Sequence, residues 1–236
     1  MSFTLPYIED SSKRIRVLFG GQCIIDTKKA KLVWEKPYYP AYFFLKEDLP
    51  ATEFLKGEKS YGNKKVYDIV VGLKHASSAL TSYDPAAEEL GDLFTITFDA
   101  MDAWFEEEEQ IFVHCKDPYK RVDVLQSSRH IRVEVDGVEL ANTRMPRLVF
   151  ETGLHVRTYI PKNDCRLDLL ESSNLTTQCP YKGEAQYYHV LMPSGKKLDN
   201  IVWWYRNPTP ECAAIRGYTA FYDEKVDVWV DGEKQK

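Results

Sequence analysis

The sequence predicts a mainly β protein: two tandem, small antiparallel β domains, each with one short helix. Three observations predict it. The chain repeats itself with a period near 116 residues, its apolar residues alternate with polar ones between glycine-bearing turns, and each copy holds a single stretch framed by helix-start and helix-stop residues.

The repeat is read directly. Ser11-Ser12-Lys13-Arg14-Ile15-Arg16-Val17 lies over Ser127-Ser128-Arg129-His130-Ile131-Arg132-Val133 with five identities. At the same offset Gly21 meets Gly137, Thr27 meets Thr143, Leu32-Val33 meet Leu148-Val149, Glu35 meets Glu151, and Lys46 and Asp48 meet Lys162 and Asp164. The ends match at a slightly longer offset: Met101-Asp102-Ala103-Trp104 lies over Val226-Asp227-Val228-Trp229, Pro85 over Pro210 and Leu90 over Ile215. A period this long exceeds that of any solenoid repeat, so it reads as duplication of a whole domain. Domains are expected over 1–116 and 117–236, with the seam near Lys116 to Lys120.

Each copy opens on a hairpin. In the second, His130 to Val135 and Val138 to Ala141 flank Asp136-Gly137, a pair suited to a tight turn with positive φ. Gly20-Gly21 plays that part in the first. Strand-like runs follow at Leu148 to Phe150, Val156 to Ile160, Ala185 to Met192 and Ile201 to Tyr205. Thr209, Pro210 and Glu211 then signal a helix start and Gly217 its end, mirrored by Asp84, Pro85, Glu88 and Gly91. The copy closes on two aromatic strands, Tyr218 to Tyr222 and Val226 to Val230, expected to pair across Asp223-Glu224-Lys225. Trp104 and Trp229 are expected in the cores.

Composition narrows the function classes. Divided after Lys116, the first half has 14 Lys+Arg against 19 Asp+Glu, hence −5, and the second 17 against 17. Neither half is basic, which argues against nucleic acid as a partner. The acidic run Glu106 to Glu109 reads as a solvated loop. Five widely spaced cysteines without a CxxC suit reduced thiols in a cytoplasmic protein. No apolar run approaches the ~18 residues of a membrane span, and the first residues lack the basic and apolar regions of a secretory leader, so no membrane partner is expected.

The second copy carries the string Thr177-Gln178-Cys179-Pro180-Tyr181-Lys182-Gly183-Glu184-Ala185-Gln186-Tyr187-Tyr188. With Ile160 to Arg166, Ile215 to Tyr222 and Val226 to Glu233, it resembles domain-of-unknown-function family 427 over essentially the whole chain. The resemblance implies a compact β-tent-like domain, similar in topology to that of methionine sulfoxide reductase B. It implies no established activity. Nucleotidyl transfer, a label attached to the family, finds no counterpart here: there is no GxGxxG, no Walker loop and no pair of metal-binding carboxylates.

The copies differ where chemistry would sit. Opposite Cys179, Tyr181 and Lys182 the first copy has Glu58 to Tyr61 before Gly62, and Arg157 falls opposite Ala41. The second copy is therefore the better equipped. Lys182 and Arg157 are the candidate cations for a carboxylate or phosphate, with Tyr181 as a hydrogen-bond donor and Cys179 as a candidate nucleophile beside the lysine. Tyr188, Trp204 and Tyr159 are candidate ligand-binding aromatics. Each has a plainer reading: Lys182 on a turn, Arg157 paired with an acid on a neighbouring strand, the tyrosines and Cys179 as packing. Trp203 and Trp204 should face opposite ways on one strand. Cys165, Cys179, His155 and His189 lack the close paired spacings of a zinc site, so no metal and no cofactor are expected, and without a GxSxG no serine triad is indicated. The favoured function is binding or cofactor-independent turnover of a small organic molecule, an anion among the candidates, in the second copy; the alternative is a non-enzymatic protein-interaction module.

Overall fold

Apolar side chains at every second position oblige a strand to bury one face, and a sheet with apolar residues on both faces needs a layer on each side. The structure, a computed structural model that describes residues 4–235, solves this the same way twice. It divides between Asp117 and Pro118. The first unit holds β1 (Tyr7–Asp10), β2 (Ile15–Phe19), β3 (Gln22–Thr27), β4 (Lys31–Trp34), β5 (Ala41–Leu45), β6 (Leu55–Tyr61), β7 (Lys64–Val71), β8 (Lys74–Tyr83), β9 (Leu93–Ile96), β10 (Ala103–Glu106) and β11 (Glu109–Ile111). The second holds β12 (Val122–Gln126), β13 (Ile131–Val135), β14 (Val138–Thr143), β15 (Arg147–Glu151), β16 (Arg157–Pro161), β17 (Leu170–Cys179), β18 (Gly183–Leu191), β19 (Lys197–Tyr205), β20 (Tyr218–Phe221), β21 (Asp227–Val230) and β22 (Glu233–Lys234).

Each unit has a seven-stranded and a four-stranded antiparallel sheet. The large sheets run β1-β4-β5-β9-β8-β7-β6 and β12-β15-β16-β20-β19-β18-β17, strand for strand the same order. The small ones run β11-β10-β2-β3 and β14-β13-β21-β22. The fold is therefore mainly β with few helical residues, and no sheet closes into a barrel. In the second unit Ile131, Val133 and Leu140 of the small sheet meet Ile160, Val190, Val202 and Phe221 of the large one in a single core. Fully burying each such side chain contributes about 1.5–3 kcal/mol. The opposite face of the large sheet buries Val149, Tyr159, Tyr187, Trp203 and Tyr205 beneath Cys212 and Ile215.

Local detail departs from expectation in four places. The short helix is a 3-10 segment, Pro210–Ile215, interrupted at Cys212 (φ −110°, ψ 15°), and its first-copy counterpart shrinks to Glu88–Leu90. Six residues are too few to repay α-helix nucleation. The closing aromatic strands do not pair: β20 joins the large sheet and β21 the small one, with a 3-10 turn over Asp223–Lys225 carrying the chain between sheets. Trp104 is a core residue at 2 % exposure, whereas Trp229 is only half-buried beneath the Arg132 guanidinium, 4.8 Å from its ring centre. Within the acidic run Glu107, Glu108 and Glu109 are exposed at the turn from β10 into β11, as a solvated loop would be, but Glu106 is drawn in, accepting a 2.9 Å bond from the Tyr42 hydroxyl and pairing with Lys13.

Candidate functional site

The outer face of the second large sheet is built by alternation. Arg157 and Tyr159 share one face of β16, Trp203 and Tyr205 one face of β19, and Tyr187 projects the same way from β18. Register aligns Tyr187 with Trp203, Trp203 with Ala220, and Ala220 with Tyr159. Ala220 leaves space between its two large neighbours, and across that space the Trp203 indole N–H donates to the Tyr159 hydroxyl at 3.1 Å. Their rings meet edge to face, 6.2 Å between centres. These residues, with Glu151, Leu154, His155, Arg157, Lys182 and Tyr222, enclose a cavity of about 230 Å³.

Two ion pairs stand in its wall. Lys182, at the end of the β17–β18 turn, is 8 % exposed, and its Nζ donates to Glu151 Oε1 at 2.6 Å. Arg157 donates to Glu224 at 2.7 and 3.2 Å and to Asp223 at 3.2 Å, and lies 5.7 Å from the Trp203 ring centre. Burial works against the Arg157 charge, but its bonds to Glu224 and Asp223 outweigh that and hold its pKa up. Burial pushes the Asp223 carboxyl up, while the bond from Arg157 drives the exposed Glu224 down to about 2. Burial also raises the Tyr205 hydroxyl, and raises Tyr222 to about 12.

Lys182 thus reaches the cavity because the hairpin that carries it is longer than its counterpart. In the first unit Tyr61 pairs with Lys64 and the turn is Gly62-Asn63. In the second the ladder runs two pairs further, Gln178 with Glu184 and Cys179 with Gly183, before the turn Pro180-Tyr181-Lys182. Gly183 has φ +95°, and an added Cβ would come within 3.2 Å of the Asn207 carbonyl, so the close approach needs glycine. Thr209 fastens the loop, its hydroxyl donating to the Tyr181 carbonyl at 2.6 Å and its backbone N–H to the Lys182 carbonyl at 3.2 Å.

The profile of the family described as Domain of unknown function (DUF427) matches residues 7–107 and again 123–232. The chain belongs to this family. A search among curated proteins returns no match. The two DUF427 copies share their strand order but not the cavity chemistry. Where the second copy has Arg157, Tyr159, Tyr187, Trp203 and Asp223, the first has Ala41, Phe43, Val66, Thr81 and Phe98 at equivalent register.

Of the residues singled out in the sequence, the second DUF427 copy brings Lys182, Arg157 and Tyr159 to one cavity. Cys179 and Tyr181 are not in its lining; Cys179 is half-buried at the end of β17. Tyr188 and Trp204 lie on the opposite face, stacked on each other at 6.0 Å and 10°. Sequence reading missed Glu151, Asp223 and Glu224, although Glu151 opposite Glu35 was visible in the repeat. It also missed Lys162, whose Nζ stands 2.9 Å from the Trp204 ring centre and 3.2 Å from the Tyr188 hydroxyl. Among the described residues no cluster of His, Cys, Asp or Glu could hold a metal ion, and no helix is long and apolar enough to cross a membrane.

Proposed function

We propose that the second DUF427 copy binds a small polar organic molecule in the aromatic cavity. The observation that carries this reading is the Lys182–Glu151 pair, both side chains about nine-tenths buried, opening on the same cavity as Arg157. A buried ion pair gives little net stability, and apolar replacements of like volume often do as well. Its presence in a wall of Tyr159, Trp203 and Tyr205 favours recognition over support. A few placed polar groups in an aromatic enclosure are the usual make-up of a ligand site. At about 230 Å³ the space is smaller than the roughly 300–1,000 Å³ typical of such sites, which suits a molecule of one ring.

The cations are already opposed by Glu151, Asp223 and Glu224. A ligand offering both donors and acceptors therefore fits better than a simple anion, since it can bond each ion pair without leaving one partner unpaired. Ligand-observed NMR with a panel of single-ring amides and zwitterions would test this. Binding should weaken about tenfold or more in Arg157→Ala. The double variant Lys182→Met/Glu151→Gln, which leaves no lone buried charge, should lose binding while remaining folded. If no panel member separates wild type from these variants, the reading fails.

A further inference from the structure

On the other face of the same sheet the copies diverge again, this time in net charge. In the first copy Lys46 bonds Asp92 at 2.7 Å, and the Tyr67 hydroxyl donates to Glu58 at 2.8 Å, with Glu58 also pairing with Lys65 at 2.9 Å. Lys46 and Lys65 each have a carboxylate. Lys162 stands in the place of Lys46, and the backbone confirms it: Lys46 N–H bonds the Asp92 carbonyl at 3.2 Å, as Lys162 N–H bonds the Gly217 carbonyl at 3.1 Å. Both acceptors are left-handed, Asp92 at φ +64° and Gly217 at φ +82°. Gly217 brings no carboxylate, and the Tyr188 hydroxyl accepts from Lys162 at 3.2 Å. The Ser82 position is Trp204, and the chain gains Arg206 just beyond it, with its guanidinium 5.5 Å from the Trp204 ring centre. Neither Lys162 nor Arg206 has a carboxylate within salt-bridge distance among the described residues.

We propose that Lys162 and Arg206, set about Trp204 and Tyr188, form an oxyanion-binding site that takes the carboxylate or phosphate group of a small molecule. Lys162 and Arg206 both lie against the Trp204 ring, 2.9 and 5.5 Å from its centre, and an oxyanion bonded by both would neutralise two like charges that have no counter-ion. Arg serves such a group through its planar fork and Lys as a point charge. The aromatic pair holds Lys162 by its ring faces rather than by a competing acid, so the ammonium is positioned and still available. Burial first, and then the Arg206 charge, pull the Lys162 ammonium down to about 8, and no carboxylate offsets them. This site is independent of the cavity, lies on the opposite face and uses none of its residues.

The test is an NMR titration of the full chain, following the Trp204 indole N–H, assigned with Trp204→Phe. Sodium phosphate and sodium acetate are added separately, with sodium chloride balancing ionic strength. A saturable shift with at least one oxyanion, absent with chloride, is expected; which of the two binds tells phosphate from carboxylate recognition. Arg206→Gln and Lys162→Gln should each weaken it about tenfold or more. Gly217→Asp should abolish it by restoring the first copy's carboxylate. Nothing lies within 4 Å of a Cβ at Gly217, and Asp92 already holds that left-handed backbone, so the variant should fold. No saturable shift with either oxyanion, or an undiminished shift in Arg206→Gln and Gly217→Asp, would overturn the proposal.

Discussion

Lys162 shows how little of a residue's chemistry is in its own identity. The same lysine on the same backbone is an ordinary surface ion pair at position 46 and a depressed amine at position 162. Its pKa falls from 10.5 to about 8, so the folded state holds fewer protons than the unfolded chain between those values. Stability therefore rises with pH across that window, and the cost of the buried charge is fully present below about pH 8. Solvent screens a partly exposed group, so at pH 7 Lys162→Met is expected to stabilise by no more than about 1 kcal/mol. That gain should vanish near pH 10.5. Urea unfolding at pH 7 and pH 10 checks it; a gain equal at both would mean the effect is packing rather than charge.

At the scale of elements, the strands and first turns were legible because each rests on local rules. Asp136-Gly137 and Gly20-Gly21 both supply two positive φ values in succession, as a tight hairpin requires. The two turns differ in one respect that sequence does not disclose. A Cβ at Gly20 would sit 2.8 Å from Val71, whereas Asp136 carries its side chain freely to Lys196 at 2.9 Å. Gly20→Ala is accordingly expected to cost about 2–3 kcal/mol in the first unit, and Asp136→Ala less than about 1 kcal/mol in the second. Chemical denaturation of the two variants makes the comparison, and equal losses would contradict the close approach. The aromatic strands were legible as strands but not in their pairing. A hairpin and a crossover between sheets have the same local pattern, and only the crossover brings Asp223 and Glu224 to Arg157.

At the scale of the molecule, every strand ladder among the described residues closes within its own unit. Residues 118–236 expressed alone are expected to fold, giving dispersed amide resonances and protected β18 and β19 amides; an unfolded fragment would show that the ladders are not enough. The duplication itself was legible because two collinear blocks of matching residues rarely arise by chance. The cavity was half legible. Arg157 opposite Ala41 and the Lys182 turn were visible as differences between the copies, but their acid partners come from turns whose path is tertiary. The Lys162 site was not legible, since it depends on a carboxylate that is missing at Gly217 and on the residue that follows Tyr205. The left-handed position shared by Asp92 and Gly217 also has a genetic side. Aspartate codons become glycine codons by one base change, and the backbone there already accepts either residue. A duplicated gene can thus close this charge site in a single mutational step without disturbing the sheet beneath it, whereas opening one in the first copy would also take changes at Ser82 and Asp84.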